Sequence, residues 1–152
     1  MSAFKLTEYL DDHQICYTTI THSPAFTAQE IAQAAHIPGH ELAKTVIVKL
    51  DDKLVEVVLP ASQKLDLDKL KAATGAVKAE LATEIEFERC FPDCEVGAMP
   101  PCGNLYNMEV YVAPSLGHER KIAFNAGNHS ELICMNYKDY EQLVHPIKMP
   151  MA

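Results

Sequence analysis

Residues 97–103 read Gly-Ala-Met-Pro-Pro-Cys-Gly, a segment able to do chemistry through its backbone. Pro100 and Pro101 lack an N–H and each has its φ fixed. Pro101 also pushes Pro100 out of the helical region, so the loop is stiff. Gly97 and Gly103 permit bends at its two ends. Such a loop can hold the amides of Gly97, Ala98 and Met99 in one orientation, and oriented free amides bind a carbonyl oxygen or an anion. Taken alone, the segment reads as a surface loop with two prolines.

Two further groups have polar reach. Lys44 precedes the most apolar run of the chain. A lysine at the mouth of a buried strand can aim its ammonium into a pocket and hold a carboxyl, a phosphate or a developing oxyanion. A surface lysine lying along a strand end is the plainer alternative. Residues 125–129 read Asn-Ala-Gly-Asn-His. Gly127 allows a sharp turn that brings Asn125 and His129 together, and His129 can serve as a general base or hold a water. A turn histidine bonded to backbone fits the same residues equally well. No protein nucleophile stands out. There is no Gly-x-Ser-x-Gly elbow, and Cys102 in the proline loop reads more simply as a small apolar filler than as a thiolate. No phosphate-binding glycine fingerprint is present.

The elements that must position these groups follow from periodicity. Leu6, Tyr9 and Leu10 at helical spacing predict a helix over 4–12, and 16–21 predict a strand. Thr27 and Glu30 form a capping box ahead of a short helix that Pro38-Gly39 is expected to end. The runs 45–50 and 54–59 predict a hairpin around residues 51–53, the first strand being apolar enough to lie centrally. A helix over 66–73 stops at Thr74-Gly75, and 77–81 read as a short strand. Thr83 and Glu86 make a second capping box. Strands are expected at 108–113, 122–125 and 132–136, then a helix at 137–144 capped by Asn136, and an irregular tail from His145. This order predicts one domain over residues 1–152 of α/β or α+β class, with a mixed sheet dominated by antiparallel hairpins.

Composition agrees with that and narrows the function. The chain has 152 residues, 48% of them hydrophobic, enough for one real core. No apolar run reaches the length of a membrane span, and the start, Met1-Ser-Ala-Phe-Lys5, lacks a signal peptide's pattern, so a cytoplasmic protein is expected. The five cysteines, an odd number without a Cys-x-x-Cys pair, point to reduced thiols rather than a disulfide framework. Cys90, Cys94 and Cys102, with His36 and His40, are spaced more loosely than structural zinc ligands, so no metal is expected. The net charge of −8 argues against a broad nucleic-acid surface and against DNA, leaving room for a small local contact. Lys64, Lys69, Lys71 and Lys78 form one modestly basic stretch, most simply a solvated helix face.

These signals stand in a fixed order: His22-Ser-Pro-Ala-Phe26-Thr-Ala, then Lys44-Thr45 before an apolar strand, then the glycine–proline loop, then Phe124-Asn-Ala-Gly-Asn-His129 leading into Leu132-Ile-Cys-Met. The arrangement resembles the YbaK/prolyl-tRNA synthetase-associated editing domain family over about residues 22–144, and the chain looks like a free-standing member. The resemblance implies a compact α/β domain around a curved mixed sheet. It also implies a trans-acting aminoacyl-tRNA deacylase that hydrolyses the ester of a mischarged tRNA carrying a small amino acid, without a cofactor. Its partners would be the acceptor end of that tRNA and a synthetase or elongation factor that brings it. A non-catalytic module binding aminoacyl-tRNA or nucleotide groups is the alternative. By position, Lys44 matches the family's essential lysine, Gly97, Ala98, Met99, Pro100 and Pro101 its G-x-x-x-P loop, and His129 a histidine after the Asn-x-Gly turn. His22, Phe26, Thr45, Gly103, Asn125 and Gly127 fall beside these as expected substrate contacts.

On this resemblance water attacks the ester carbonyl, amides of the loop stabilise the oxyanion, and Lys44 anchors the substrate by charge. Either His129 or the substrate's own ribose hydroxyl activates the water. Met99, Ala25 and Phe26 are expected pocket walls.

Overall fold

The computed structural model describes residues 2–25 and 27–152. The chain runs through α1 (Ser2–Asp12), β1 (Tyr17–Thr21), α2 (Ala28–Ala35), β2 (Ala43–Leu50), β3 (Lys53–Pro60), α3 (Leu67–Thr74), β4 (Ala79–Leu81) and α4 (Glu84–Phe87). It continues through β5 (Val110–Val112), β6 (Lys121–Asn125), β7 (Glu131–Asn136), α5 (Tyr137–Val144) and β8 (Ile147–Lys148). Among the described residues no helix is long and apolar enough to cross a membrane.

The strands form two sheets. One has the order β1-β7-β6, antiparallel throughout. The other has the order β4-β2-β3-β5-β8, antiparallel across β4-β2-β3 and parallel across β3-β5-β8. A parallel bridge between Leu42 and Ala123 joins them. The mixed α/β architecture with mostly antiparallel pairing is as expected, and the sheet is divided in two.

Local chemistry accounts for most boundaries. Both capping boxes form: Thr27 with Glu30 starts α2, and Thr83 with Glu86 starts α4. The β2–β3 hairpin turns on Asp51 and Asp52 alone, both at positive φ (47° and 70°), so Lys53 already belongs to β3. Two left-handed central residues match the natural twist of a hairpin. The Asp51 carboxylate also accepts the amides of Val77 and Lys78 at 3.0 and 2.8 Å, tying the approach to β4 onto this turn.

Three expectations need correction. α2 ends at Ala35, where His36 takes the left-handed cap, before Pro38-Gly39 is reached. Asn136 occupies the N-cap position of α5, but its side chain makes no cap hydrogen bond. The tail is not wholly irregular: Ile147 and Lys148 pair in parallel with Tyr111 and Val112.

β2 is central, flanked by β4 and β3, yet β3 is the more deeply buried strand. Val55, Val57 and Leu59 face α3 through Leu70. Val58, one residue off, meets Cys102, Val110, Val112 and Tyr140 in the larger core beneath α1 and α5. A third cluster of Ile47, Phe87, Phe91, Met99 and Met108 seats the proline loop against β2.

Candidate active site

The start of β2 is fixed on both sides. Lys44 and Thr45 stand opposite Leu59 and Val58 of β3, while the Ala123 amide donates to the Glu41 carbonyl at 2.9 Å. This brings the end of β6, with Asn125, beside Lys44. Lys44, Thr45, Gly97 and Asn125 thereby line one cavity of about 180 Å³. Ala28 and Ile31 from α2, with Leu42, Ala43 and Val46 from β2 and its approach, supply the apolar wall.

Lys44 is half-buried, and desolvation draws its ammonium below the usual lysine value. Among the described residues no carboxylate pairs with it; its shift has burial as its sole cause. A partly desolvated, unneutralised cation beside an apolar wall favours an anionic or strongly polarised oxygen. Two further polar atoms are enclosed, and of their residues Asn125 lines the cavity while His22 does not. The Asn125 Oδ1 and the His22 Nε2 are buried and lack hydrogen-bond partners among the described residues. His22 donates its Nδ1 proton to the Ser23 carbonyl at 2.7 Å, and its own amide donates to Ser130 at 2.9 Å.

The proline loop is not a surface loop. Gly97 is exposed, but residues 98–103 are buried. Gly97 has φ of +88°, a conformation that favours glycine, and a Cβ there would sit 3.6 Å from Cε1 of His129. The expectation of three free amides is narrowed. The Gly97 amide points at the Met99 sulfur (3.2 Å), and the Ala98 amide donates to Glu95 (3.0 Å). The Met99 amide donates to no group among the described residues. The Met99 side chain packs with Ile47, Phe87 and Phe91 and does not line the cavity. Ala25 is buried in the cluster with Ile31 and Leu42 and likewise does not line the cavity, and Phe26 lies outside the described residues.

Glu95, which carried no signal in the sequence, ties this loop to the 125–129 turn. Its amide donates to the Gly127 carbonyl and its carboxylate accepts the His129 amide, both at 2.8 Å. Gly127 meets that bond at φ of +97°. His129 Nε2 donates to the Val96 carbonyl at 3.0 Å, which places the ring proton on Nε2. The imidazole thus ties the 125–129 turn to Val96, as the His129 amide ties it to Glu95.

Cys102 is removed as a nucleophile. It is buried, and burial, then the charge of Glu56, push its thiol well upward, away from the thiolate. Gly103 is also enclosed and lies against Glu56 rather than the cavity. Among the described residues, His40, Glu41 and Glu119 put possible metal-ligand atoms within 4.8 Å of one another, but none of the three lines the Lys44 cavity. The cavity walls Ala28, Ile31, Leu42 and Val46 escaped sequence reading because apolar residues at helical and strand spacing look alike whether they face a core or a cavity.

Residues 22–143 match the family described as the aminoacyl-tRNA editing domain. The prolyl-tRNA editing protein ProX of Acetoanaerobium sticklandii is 27% identical over 142 residues, covering 89% of this chain and 85% of that protein. The proline–tRNA ligase of Bacillus cytotoxicus is 32% identical over 82 residues, 54% of this chain and only 14% of the ligase. Among solved structures, hypothetical protein APE2540 superposes with a TM-score of 0.85 at 21% identity, covering 97% of this chain and 98% of that one. A candidate trans-editing enzyme for prolyl tRNA synthetase superposes at 0.82 and 19% identity, covering 99% and 96%. The match over most of its length makes this chain a member of the aminoacyl-tRNA editing domain family.

Proposed function

We propose that the chain is a trans-acting aminoacyl-tRNA deacylase that removes a small amino acid from a mischarged tRNA. The observation that carries this reading is the unpaired Lys44 ammonium sharing a cavity with Gly97 and Asn125. The cavity, about 180 Å³, is smaller than the roughly 300–1,000 Å³ of pockets for whole drug-sized ligands. That suits the aminoacyl group entering alone while the terminal adenosine lies across the mouth.

In this reading Lys44 holds the substrate by charge at the cavity mouth. Water attacks the ester carbonyl, the carbon–oxygen bond to the ribose breaks, and the water's proton passes to the ribose oxygen. The developing oxyanion needs oriented donors, and of the Gly97, Ala98 and Met99 amides only that of Met99 donates to no group among the described residues. His129 spends its Nε2 proton on Val96, which favours a bracing role for it and leaves activation of water to the neighbouring ribose hydroxyl. Thr45, Asn125 and His22 are proposed substrate contacts, the last two because each keeps a buried polar atom without a partner among the described residues. The apolar wall of Ala28, Ile31 and Leu42 limits side-chain size. Such a wall separates substrates differing by one methylene by about 1–3 kcal/mol. The partner is the acceptor end of the tRNA, delivered by a synthetase or elongation factor.

The test is a deacylation panel. Purified protein is incubated with tRNAs carrying alanine, serine, threonine and cysteine in mismatched combinations, beside Lys44→Ala. Selective release of one amino acid, lost in the variant, is expected. A folded protein that releases none of them would sink the reading in favour of a binding module.

A further inference from the structure

Glu56 lies in the middle of β3, and its side chain is 0% exposed. Among the described residues it is the one carboxylate enclosed by the core. Side chains alternate along a strand, so Glu56 faces the same side as Val58, where Cys102, Val110 and Tyr140 gather. That is the underside of the proline loop. Gly103 packs directly on the carboxyl: a Cβ at position 103 would lie 3.2 Å from Glu56 Cδ and 2.9 Å from the Met108 carbonyl. Nothing larger than glycine fits there without a shift of backbone.

Burial pushes the Glu56 carboxyl well above the usual carboxylate range, and the dipole of the Gly103 amide draws it partly back. That amide is near enough to be felt, yet among the described residues neither carboxyl oxygen completes a hydrogen bond of ordinary geometry. Two residues earlier the grip is complete, since the Tyr140 hydroxyl donates to the Pro101 carbonyl at 2.7 Å in the buried core. The loop is therefore met from beneath at two places, bonded by a phenol at residue 101 and packed against a carboxyl at residue 103. Pro100 and Pro101, with φ fixed, transmit any displacement of that end toward Met99 and Gly97.

A buried polar group without a full partner is destabilising, and an apolar side chain of similar size would serve the core better. We propose that Glu56 is a positioning residue for deacylation. From beneath the 97–103 loop it fixes the Gly103 peptide and, with Tyr140, sets the orientation in which the loop presents the Met99 amide to the substrate. This role rests on the deacylase reading given above.

The test is steady-state kinetics with the tRNA that the wild type deacylates, alongside thermal melting. Glu56→Leu is expected to melt at or above the wild-type temperature. Its kcat should fall about tenfold or more, because displacements of an ångström near a reacting group cost rate on that scale. Its KM should stay within about threefold, the pattern of a group felt in the transition state rather than in binding. Glu56→Gln, which keeps both reach and hydrogen-bonding capacity, should restore kcat. A folded Glu56→Leu with wild-type kcat overturns the proposal, and so does loss of kcat in both Leu and Gln variants. If Glu56→Leu does not fold, Glu56→Asp replaces it: the shortened acid should lose kcat while Gln keeps it, and equal kcat in the two overturns the role. A wild-type protein without deacylase activity defeats the deacylase reading, and this role with it. An active wild type with an indifferent Glu56 defeats only the positioning role.

Discussion

Glu95 and His129 are joined by a hydrogen bond from the His129 amide to the Glu95 carboxylate, 2.8 Å long, across 34 residues of sequence. With the Glu95 amide on Gly127, it makes the approach to the proline loop and the 125–129 turn one unit. Breaking it should disturb catalysis more than folding. Glu95→Ala removes one charge-assisted bond at an exposed site, worth about 1 kcal/mol. A urea melt should show a lower midpoint with an unchanged slope. The deacylation kcat should fall by about tenfold, because Gly97 shifts relative to Lys44. An unchanged kcat in the destabilised variant would disconnect the turn from the reaction.

Lys44 gives a prediction in two parts. Lys44→Ala should lower deacylation by about 100-fold or more, the scale of losing one preorganised charge donor. Burial lowers the pKa of this lysine in the folded protein, so its charge is disfavoured there. The resulting destabilisation is present while the lysine is charged in the folded state. It is relieved as pH rises through the lowered folded pKa toward the unfolded value. Lys44→Met should therefore melt higher than wild type at neutral pH, with the difference shrinking on the alkaline side. The wild-type rate should decline with rising pH before an ordinary lysine would lose its proton. A Lys44→Met protein less stable than wild type at pH 7 would contradict the burial argument.

How much of this was readable in the sequence follows the range of the interactions. Both capping boxes form because Thr27 with Glu30, and Thr83 with Glu86, are patterns three residues long. The β2–β3 hairpin was legible for the same reason. Ile147 and Lys148 carry no strand signal, since their pairing with Tyr111 and Val112 is decided by tertiary contact. Glu56 misleads in the opposite way. Within Val-Glu-Val-Val it looks like the solvent-facing residue of a half-buried strand, but β5 and the 103–106 turn cover that face. The cavity gathers Lys44, Thr45, Gly97 and Asn125, all named from sequence. Its apolar wall and the Glu95 tie had no local pattern to betray them. Cys102 and Gly103 were adjacent to the site in sequence, yet the loop turns them inward against Glu56.

The Tyr140–Pro101 hydrogen bond predicts a clear stability loss. Tyr140→Phe keeps the ring against Phe124 and Tyr137 but removes the donor, leaving the Pro101 carbonyl buried without it. Such a loss costs about 1–3 kcal/mol. At about 2–4 °C per kcal/mol for a chain of this size, the melting temperature should fall by several degrees. A melting temperature within a degree of wild type would mean that the carbonyl finds another donor.

The Glu86 carboxylate predicts how the fold responds to acid. Its hydrogen bond from the Lys49 ammonium, then that from the Thr83 amide, hold its pKa down to about 2. A carboxyl depressed on folding contributes stability that is present above its unfolded value, about 4.3 for glutamate, and is lost as pH falls through that value toward the folded one. Wild type should therefore lose melting temperature between about pH 4.3 and pH 2 more steeply than Glu86→Gln, which has no proton to gain there. The pair lies at the surface, so about 1 M salt should screen its charge contribution and narrow the gap, leaving the uncharged part of the cap. Identical acid profiles for the two proteins at low salt would mean that the Lys49 ion pair adds nothing to the cap it sits on.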